Sequence, residues 1–287
     1  MSADADPPFL SIAVAGIGLI GGSIALAVRE RWPSVRVTAV DRPEVLAHAV
    51  GSGAIDRTAA SVSSLGEVDL LVLAAPIQQN LHLLREAAPV VRGVMTDVGG
   101  TKRDIVEAAA ALPAGGATFV GGHPIGGAEQ GGFGFARADL FRGRPWIFTP
   151  NGSVPAGAME RLYTLAQGVG ARPTTLDAAE HDRLMSFVSH LPQLAGTVLM
   201  DAVGEATGAE GLRLAGRGLV DTTRLASSPS GIWRDVCASN ADVIGQALDT
   251  LIARLGEIRG QLRDGDAIEA AFERAARWRA ELTRARE

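Results

Sequence analysis

Cysteine and lysine are nearly absent: Cys237 is the only cysteine and Lys102 the only lysine in 287 residues. A lone cysteine makes no internal disulfide and builds no zinc knuckle, so a reducing cytoplasm is the expected compartment. His181 and His190 are not spaced one helical turn apart and no grouped ligand set appears, so no metal is expected. Arginine carries almost all the positive charge, yet the net charge is -5 and no basic cluster interleaves with aromatics. Nucleic acid is therefore not an expected partner. No apolar run approaches the roughly 18 residues a membrane helix needs. The start, Met1-Ser-Ala-Asp-Ala-Asp-Pro-Pro8, is acidic and has neither the positive nor the apolar part of a secretory signal, so no membrane partner is expected either.

What is present is ordinary globular material, 47% hydrophobic and 21% charged, with enough chain to bury a large core and divide in two. The first half alternates apolar, β-branched runs with amphipathic stretches, the pattern of βαβ units and a parallel sheet. Strands are expected at Leu10-Ala15, Val35-Val40, Val68-Ala74, Gly93-Thr96, Thr118-Gly121 and Trp146-Phe148. They read as short continuous apolar runs, which suits strands covered by helices on both faces. After about Thr175 strand signals fade and alanine, leucine and arginine recur at helical spacing. The expected division is thus residues 1–175 as an α/β doubly wound sheet and 176–287 as an all-helical domain. Ile244, Leu248, Leu251, Leu255, Ile258 and Leu262 form one helical stripe, with Ser239 or Asn240 placed to cap its start, and Ile268, Phe272, Ala275, Trp278 and Leu282 form another. These stripes are expected to be intramolecular core, with a dimer interface as the alternative.

Directly after the first apolar run stands Gly16-Ile-Gly18-Leu19-Ile20-Gly21-Gly22, which leads into the small, apolar start Ser23-Ile-Ala-Leu-Ala. A GxGxxG alone is weak evidence, but between a strand and a helix it is the Rossmann dinucleotide fingerprint. Gly16 permits the tight turn, Gly18 lets the backbone approach a pyrophosphate, and Gly21 allows close packing of helix on sheet. The helix start then offers open N-H groups to the phosphates. Asp41, at the end of the second run, is placed to accept from both ribose hydroxyls, which favours NAD. Arg42, just beyond it, can reach a 2'-phosphate, so NADP stays open. Ala74-Ala75-Pro76 ends a further strand with small residues and a turn former, suited to passing beside the cofactor.

Unusual residues concentrate in Thr96-Asp97-Val-Gly-Gly-Thr101-Lys102, Gly121-Gly-His123-Pro through Glu129, His181-Asp182 through His190-Leu-Pro-Gln193, and Asp221-Thr-Thr-Arg224 with Trp233-Arg-Asp235. The first two lie at carboxyl ends of expected strands, where open α/β sheets bind ligands. His123, between glycines and a proline, is placed at the sheet's mouth, where imidazole can take a hydroxyl proton as hydride leaves the same carbon. Arg224 suits a substrate carboxylate gripped by two N-H groups, although spacing alone leaves a surface arginine favoured.

Taken together and in order, these segments resemble the prephenate/arogenate dehydrogenase family of tyrosine biosynthesis, from Gly16 to about Asp235. That family joins a Rossmann domain to a helical dimerisation domain and oxidises a cyclohexadienol while expelling the ring carboxylate as carbon dioxide. The resemblance implies His123, Arg224 and His190 as catalytic-site residues, with Gln193, Thr101, Trp233 and Glu129 around the substrate. It implies a cofactor site of Gly16, Gly18, Leu19, Ile20, Gly21, Asp41, Arg42, Ala75 and Pro76, with Lys102 beside Asp97 at the nicotinamide end. Asp182, like Glu129, is implied as a gate or orienting group. The implied enzyme is an NAD-dependent homodimer making 4-hydroxyphenylpyruvate from prephenate, with arogenate or 4-amino-4-deoxyprephenate as alternative substrates. Two departures stand out: many members have serine where this chain has Gly100, and many prephenate-specific members have histidine where it has Gln193. Thr101 is a candidate to replace the missing hydroxyl. The chain's end leaves no room for a regulatory module, so any feedback by tyrosine is expected at the active site.

Overall fold

The computed structural model describes residues 6–113, 115–127, 130–152 and 154–284. One sheet runs through the first 175 residues, with strands β1 (Ser11–Ala15), β2 (Arg36–Val40), β3 (Arg57–Thr58), β4 (Leu70–Leu73), β5 (Val94–Asp97), β6 (Thr118–Pro124), β7 (Pro145–Pro150) and β8 (Arg172–Thr175). Their order across the sheet is β3-β2-β1-β4-β5-β6-β7-β8. All neighbours pair in parallel except β6 and β7, which are antiparallel. The connections are helices α1 (Leu19–Arg31), α2 (Pro43–Gly51), α3 (Ile77–Ala87), α4 (Arg103–Ala110) and α5 (Ala156–Gly168).

The continuous apolar runs are explained by burial on both faces. Along β1 every residue is buried, and alternate residues enter different cores. Ile12 and Val14 join Val28, Trp146, Phe148 and Leu162 on one side, whereas Ala13 and Ala15 join Leu73, Met95, Ile105 and Phe119 on the other. Strand order reverses at β1 and β4, which opens the crevice where such sheets bind ligands at their carboxyl edge. The edge strand β3 and the strand β8 carry no apolar run and were not expected. Their ladders are templated by neighbours, as in Thr38 opposite Arg57 and Phe148 opposite Thr175.

From Ala178 onward the described chain is helical: α6 (Ala178–Met185), a π-turn at Ser186–His190, α7 (Leu191–Leu212), α8 (Arg217–Thr222), a 3-10 turn at Arg224–Ser227, and α9 (Ser230–Ser239). Asp177 starts α6 by accepting from the Ala179 and Glu180 N-H groups, and α7 breaks at Gly208, where φ is +60°. The switch from sheet to helix falls after Thr175, but compactness divides the chain later, into residues 1–241 and Asp242–Glu287. The second unit consists of α10 (Ala241–Gly260) and α11 (Gly265–Arg284). Leu255, Ile258, Leu262, Phe272, Trp278 and Leu282 of its two stripes are exposed, so within one chain they are not the core that periodicity favoured.

Candidate active site

The glycine turn is fitted to its place by backbone geometry. Gly16 has φ of +99°, and a Cβ on it would lie 2.6 Å from the Ala74 carbonyl carbon. A Cβ on Gly21 would overlap the Gly16 oxygen at 2.0 Å, which is why α1 can press against the turn. Around Gly18, in contrast, a Cβ would meet nothing within 4 Å, so the protein itself does not demand glycine there. Gly18 precedes α1 without capping it by a side chain, no acidic residue stands in the first helical turn, and the first backbone bond runs from Gly22 N-H to Gly18 O at 2.9 Å. The N-H groups of Leu19, Ile20 and Gly21 therefore remain for an anion, and this turn fits a dinucleotide pyrophosphate. Asp41 closes the turn by accepting from Ile17 N-H at 2.6 Å and Arg42 N-H at 2.7 Å. The exposed Arg42 guanidinium lies 3.4 Å from Glu44. Across the crevice, buried Asn80 shapes the Ala75-Pro76 turn, accepting from Ala75 N-H at 3.0 Å and donating to Leu73 O at 3.2 Å.

Behind the carboxyl ends of β5 and β6 lies a closed polar cluster. Asp97 and Lys102 form an ion pair with side chains 1% and 0% exposed. Asp97 also accepts from Gly99 N-H at 2.8 Å and Gly122 N-H at 3.0 Å, and Lys102 donates to Gly122 O at 2.7 Å. The pair thus fastens the turn after β5 to the strand that carries His123. Burial pushes the Lys102 pKa down, and the Asp97 carboxylate opposes that shift.

His123 projects from the end of β6, and its Nδ1 lies 2.9 Å from His181 Nε2. His181 Nδ1 in turn lies 2.8 Å from Asp182 Oδ1. Asp182 is fully buried and accepts from Lys102 N-H at 2.7 Å and Arg103 N-H at 2.9 Å. Burial alone would raise its pKa, but the His181 hydrogen bond and these backbone donors hold it below the ordinary carboxylate value. The His123 pKa is driven well below 6.5, first by burial and then by His181, Lys102 and His190. At neutral pH it is an unprotonated imidazole, able to accept a proton.

His190 closes the π-turn, in which Leu191 N-H reaches back to Ser186 O and Pro192 offers no N-H to the helical ladder. Its ring meets Trp233 edge-on at 6.1 Å and its Nδ1 lies 3.4 Å from Asn240 Nδ2. Burial lowers its pKa to about 4 despite the nearby Asp182.

Family models agree with this arrangement: the prephenate dehydrogenase nucleotide-binding domain matches residues 24–175 and the prephenate dehydrogenase dimerization domain matches 177–274. The chain belongs to the prephenate dehydrogenase family. It is 34% identical over 266 residues to prephenate dehydrogenase of Bacillus subtilis (strain 168), covering 90% of this chain and 71% of the relative. It is 28% identical over 289 residues to cyclohexadienyl dehydrogenase of Zymomonas mobilis, covering 96% of each. Among solved structures, prephenate dehydrogenase from A. aeolicus with hydroxyphenyl propionate and NAD+ shares the fold, with a TM-score of 0.88, 24% identity, and coverage of 98% and 100%. The family members are oxidoreductases, and so is this chain.

Within this prephenate dehydrogenase fold several residues stand elsewhere than expected. Thr101 does not replace the missing hydroxyl beside His123; it is buried and bonded to Ser239 Oγ at 2.9 Å. Gln193 is also buried, donating to Leu225 O at 2.7 Å and accepting from Ser228 Oγ at 3.1 Å. Its amide is engaged in holding the turn that carries Arg224. Lys102 and Asp97 are sealed within the protein, where both bond to the backbone of Gly122. Asp182 has no exposure, which does not fit a gate at the pocket's mouth. Asn240 does not cap α10: its side chain donates to Asp182 O at 3.0 Å and accepts from Arg103 at 2.8 Å. Arg224 is exposed on its 3-10 turn, and Glu129 lies outside the described residues. Sequence reasoning missed the structural use of His181, Arg103, Asn240 and Asn80. Only the adjacent His181-Asp182 pair offered a local signal, and its partner His123 is 58 residues away.

Proposed function

We propose that this chain is an NAD-dependent prephenate dehydrogenase, converting prephenate to 4-hydroxyphenylpyruvate and carbon dioxide. The observation that carries the proposal is His123, an imidazole neutral at physiological pH, set near the carboxyl end of β6 with its Nε2 edge toward Gly100 and its Nδ1 against His181. Bound NAD supplies the hydride acceptor. His123 accepts the ring hydroxyl proton as hydride leaves that carbon, and loss of the ring carboxylate then restores aromaticity, the phenolate oxygen recovering the proton. Arg224 grips a substrate carboxylate, while His190 and Trp233 line the pocket. Asp41, accepting from the turn and reaching the ribose, supports NAD over NADP. The exposed apolar faces of α10 and α11, together with the matched dimerization domain, support a homodimer. The free thiol of Cys237 is consistent with a reducing cytoplasm.

The direct test incubates purified protein with NAD or NADP and, separately, prephenate, arogenate and 4-amino-4-deoxyprephenate while recording absorbance of the reduced cofactor. Reduction with NAD and prephenate is expected; no reduction with any pair refutes the proposal. Replacing His123 by Asn should slow turnover by about 10²- to 10⁴-fold with cofactor affinity retained. Light scattering should report twice the chain mass.

A further inference from the structure

We infer that His181 and Asp182 are positioning residues that fix the tautomer of His123, leaving its Nε2 bare toward the substrate. This rests on the reading of His123 as proton acceptor. The assignment follows from counting donors. Asp182 accepts at both oxygens, at Oδ1 from Lys102 N-H and at Oδ2 from Arg103 N-H at 2.9 Å and Arg103 Nε at 3.4 Å. A carboxylate only accepts, so the 2.8 Å contact from His181 Nδ1 to Oδ1 requires the proton on His181 Nδ1. A neutral imidazole has one N-H, so His181 Nε2 is an acceptor. The 2.9 Å contact to His123 then requires the proton on His123 Nδ1. That leaves His123 Nε2 with a free lone pair.

The other end of the ring is consistent with this. Nε2 and Cε1 of His123 face Gly100, where an added Cβ would lie 3.9 Å from each. Glycine at position 100 supplies no side chain to hold that edge. Among the described residues, the hydrogen bond holding the ring is the one from behind, through His181. The geometry also explains how the site tolerates a charge. As Nε2 takes the hydroxyl proton, the developing imidazolium is linked through His181 to the buried Asp182 carboxylate.

Two variants separate orientation from mere packing. In His181→Gln, the amide oxygen accepts from His123 Nδ1 and the amide N-H donates to Asp182, so the tautomer is kept. In His181→Leu, both bonds are lost. The expected fall in kcat is about 10²-fold or more for Leu, with Gln recovering at least tenfold of it and the KM for NAD unchanged in both. Gln as impaired as Leu, or Leu with wild-type kcat, would overturn the proposal. Nitrogen-15 NMR of the histidine rings in resting wild-type protein provides an independent readout, with His123→Asn used for assignment. Protonated Nδ1 and bare Nε2 on His123 are expected, and the opposite tautomer overturns the inference whichever substrate is turned over. Failure of the whole substrate panel with the expected NMR tautomer would refute the functional reading alone.

Discussion

Replacing Lys102 by Met tests whether the buried Asp97 pair braces the site. The ammonium and carboxylate are 0% and 1% exposed, so neither is screened by water. Removing the ammonium leaves Asp97 with the Gly99 and Gly122 N-H groups as its remaining donors, at 2.8 and 3.0 Å. Breaking a buried pair on one side costs about 3–5 kcal/mol, because the surviving charge is uncompensated. The double variant Asp97→Asn with Lys102→Met removes both charges. The introduced amide has one oxygen for two backbone donors, so one N-H is left facing the NH₂ group, a penalty of about 1–3 kcal/mol. The double variant should accordingly be no less stable than Lys102→Met alone, and the cycle should show a coupling of about 2 kcal/mol or more. Urea unfolding followed by far-ultraviolet circular dichroism and tryptophan fluorescence measures all four proteins. Strictly additive effects, or a Lys102→Met cost below about 1 kcal/mol, would refute the reasoning.

Three further outcomes are expected. Gly16→Ala meets a φ of +99° and a 2.6 Å overlap with Ala74, so dinucleotide affinity by calorimetry should collapse along with stability; wild-type affinity would contradict the turn geometry. Gly100→Ser places its Cβ 3.9 Å from the His123 ring and should fold within about 0.5 kcal/mol of wild type by urea titration; an unfolded product would show the space misjudged. His190 has a folded pKa of about 4 against an ordinary 6.5, so the folded state favours the neutral ring. Its contribution is complete above pH 6.5 and is lost as pH falls toward 4, by up to about 3 kcal/mol. His190→Asn should flatten that part of the stability profile relative to wild type, and an unchanged slope would count against it.

Legibility in the sequence followed physical locality. Strands β1, β4 and β5 showed as apolar runs because both faces of each are covered, and burial on two faces leaves a mark in composition. Arg57–Thr58 and Arg172–Thr175 left none, since their extended form depends on pairing with Thr38 and Phe148. Gly16 and Gly21 were readable because a strand-to-helix turn demands them backbone by backbone. Thr101 and Gln193 were placed correctly along the chain but not in space. A motif specifies a position, whereas Ser239 and Leu225 decide where those side chains bond. The partnership of His123 with His181 was invisible for the same reason.

The solitary lysine shows how these levels meet. The chain uses arginine for its other positive side chains, and most of those described lie on the surface, where a large planar guanidinium is easily hydrated. Position 102 is enclosed instead. A Cβ on Gly121 would stand 3.4 Å from Lys102 Cδ, and the head group reaches Asp97 and the Gly122 oxygen together. A compact ammonium on a thin stem meets both acceptors within that space, whereas the five donors of a guanidinium would need more partners than the enclosure supplies. The two glycines before His123 are required from two directions: a Cβ on Gly121 would collide with Thr149 Oγ1 and stand 3.1 Å from Val106, and Gly122 lies so close to Asp97 that a Cβ would stand 2.6 Å from its carbonyl oxygen. The close approach of β5 to β6, the buried ion pair and the placement of the imidazole are consequences of one packing solution. Substituting any of its members should therefore disturb both stability and the placement of His123.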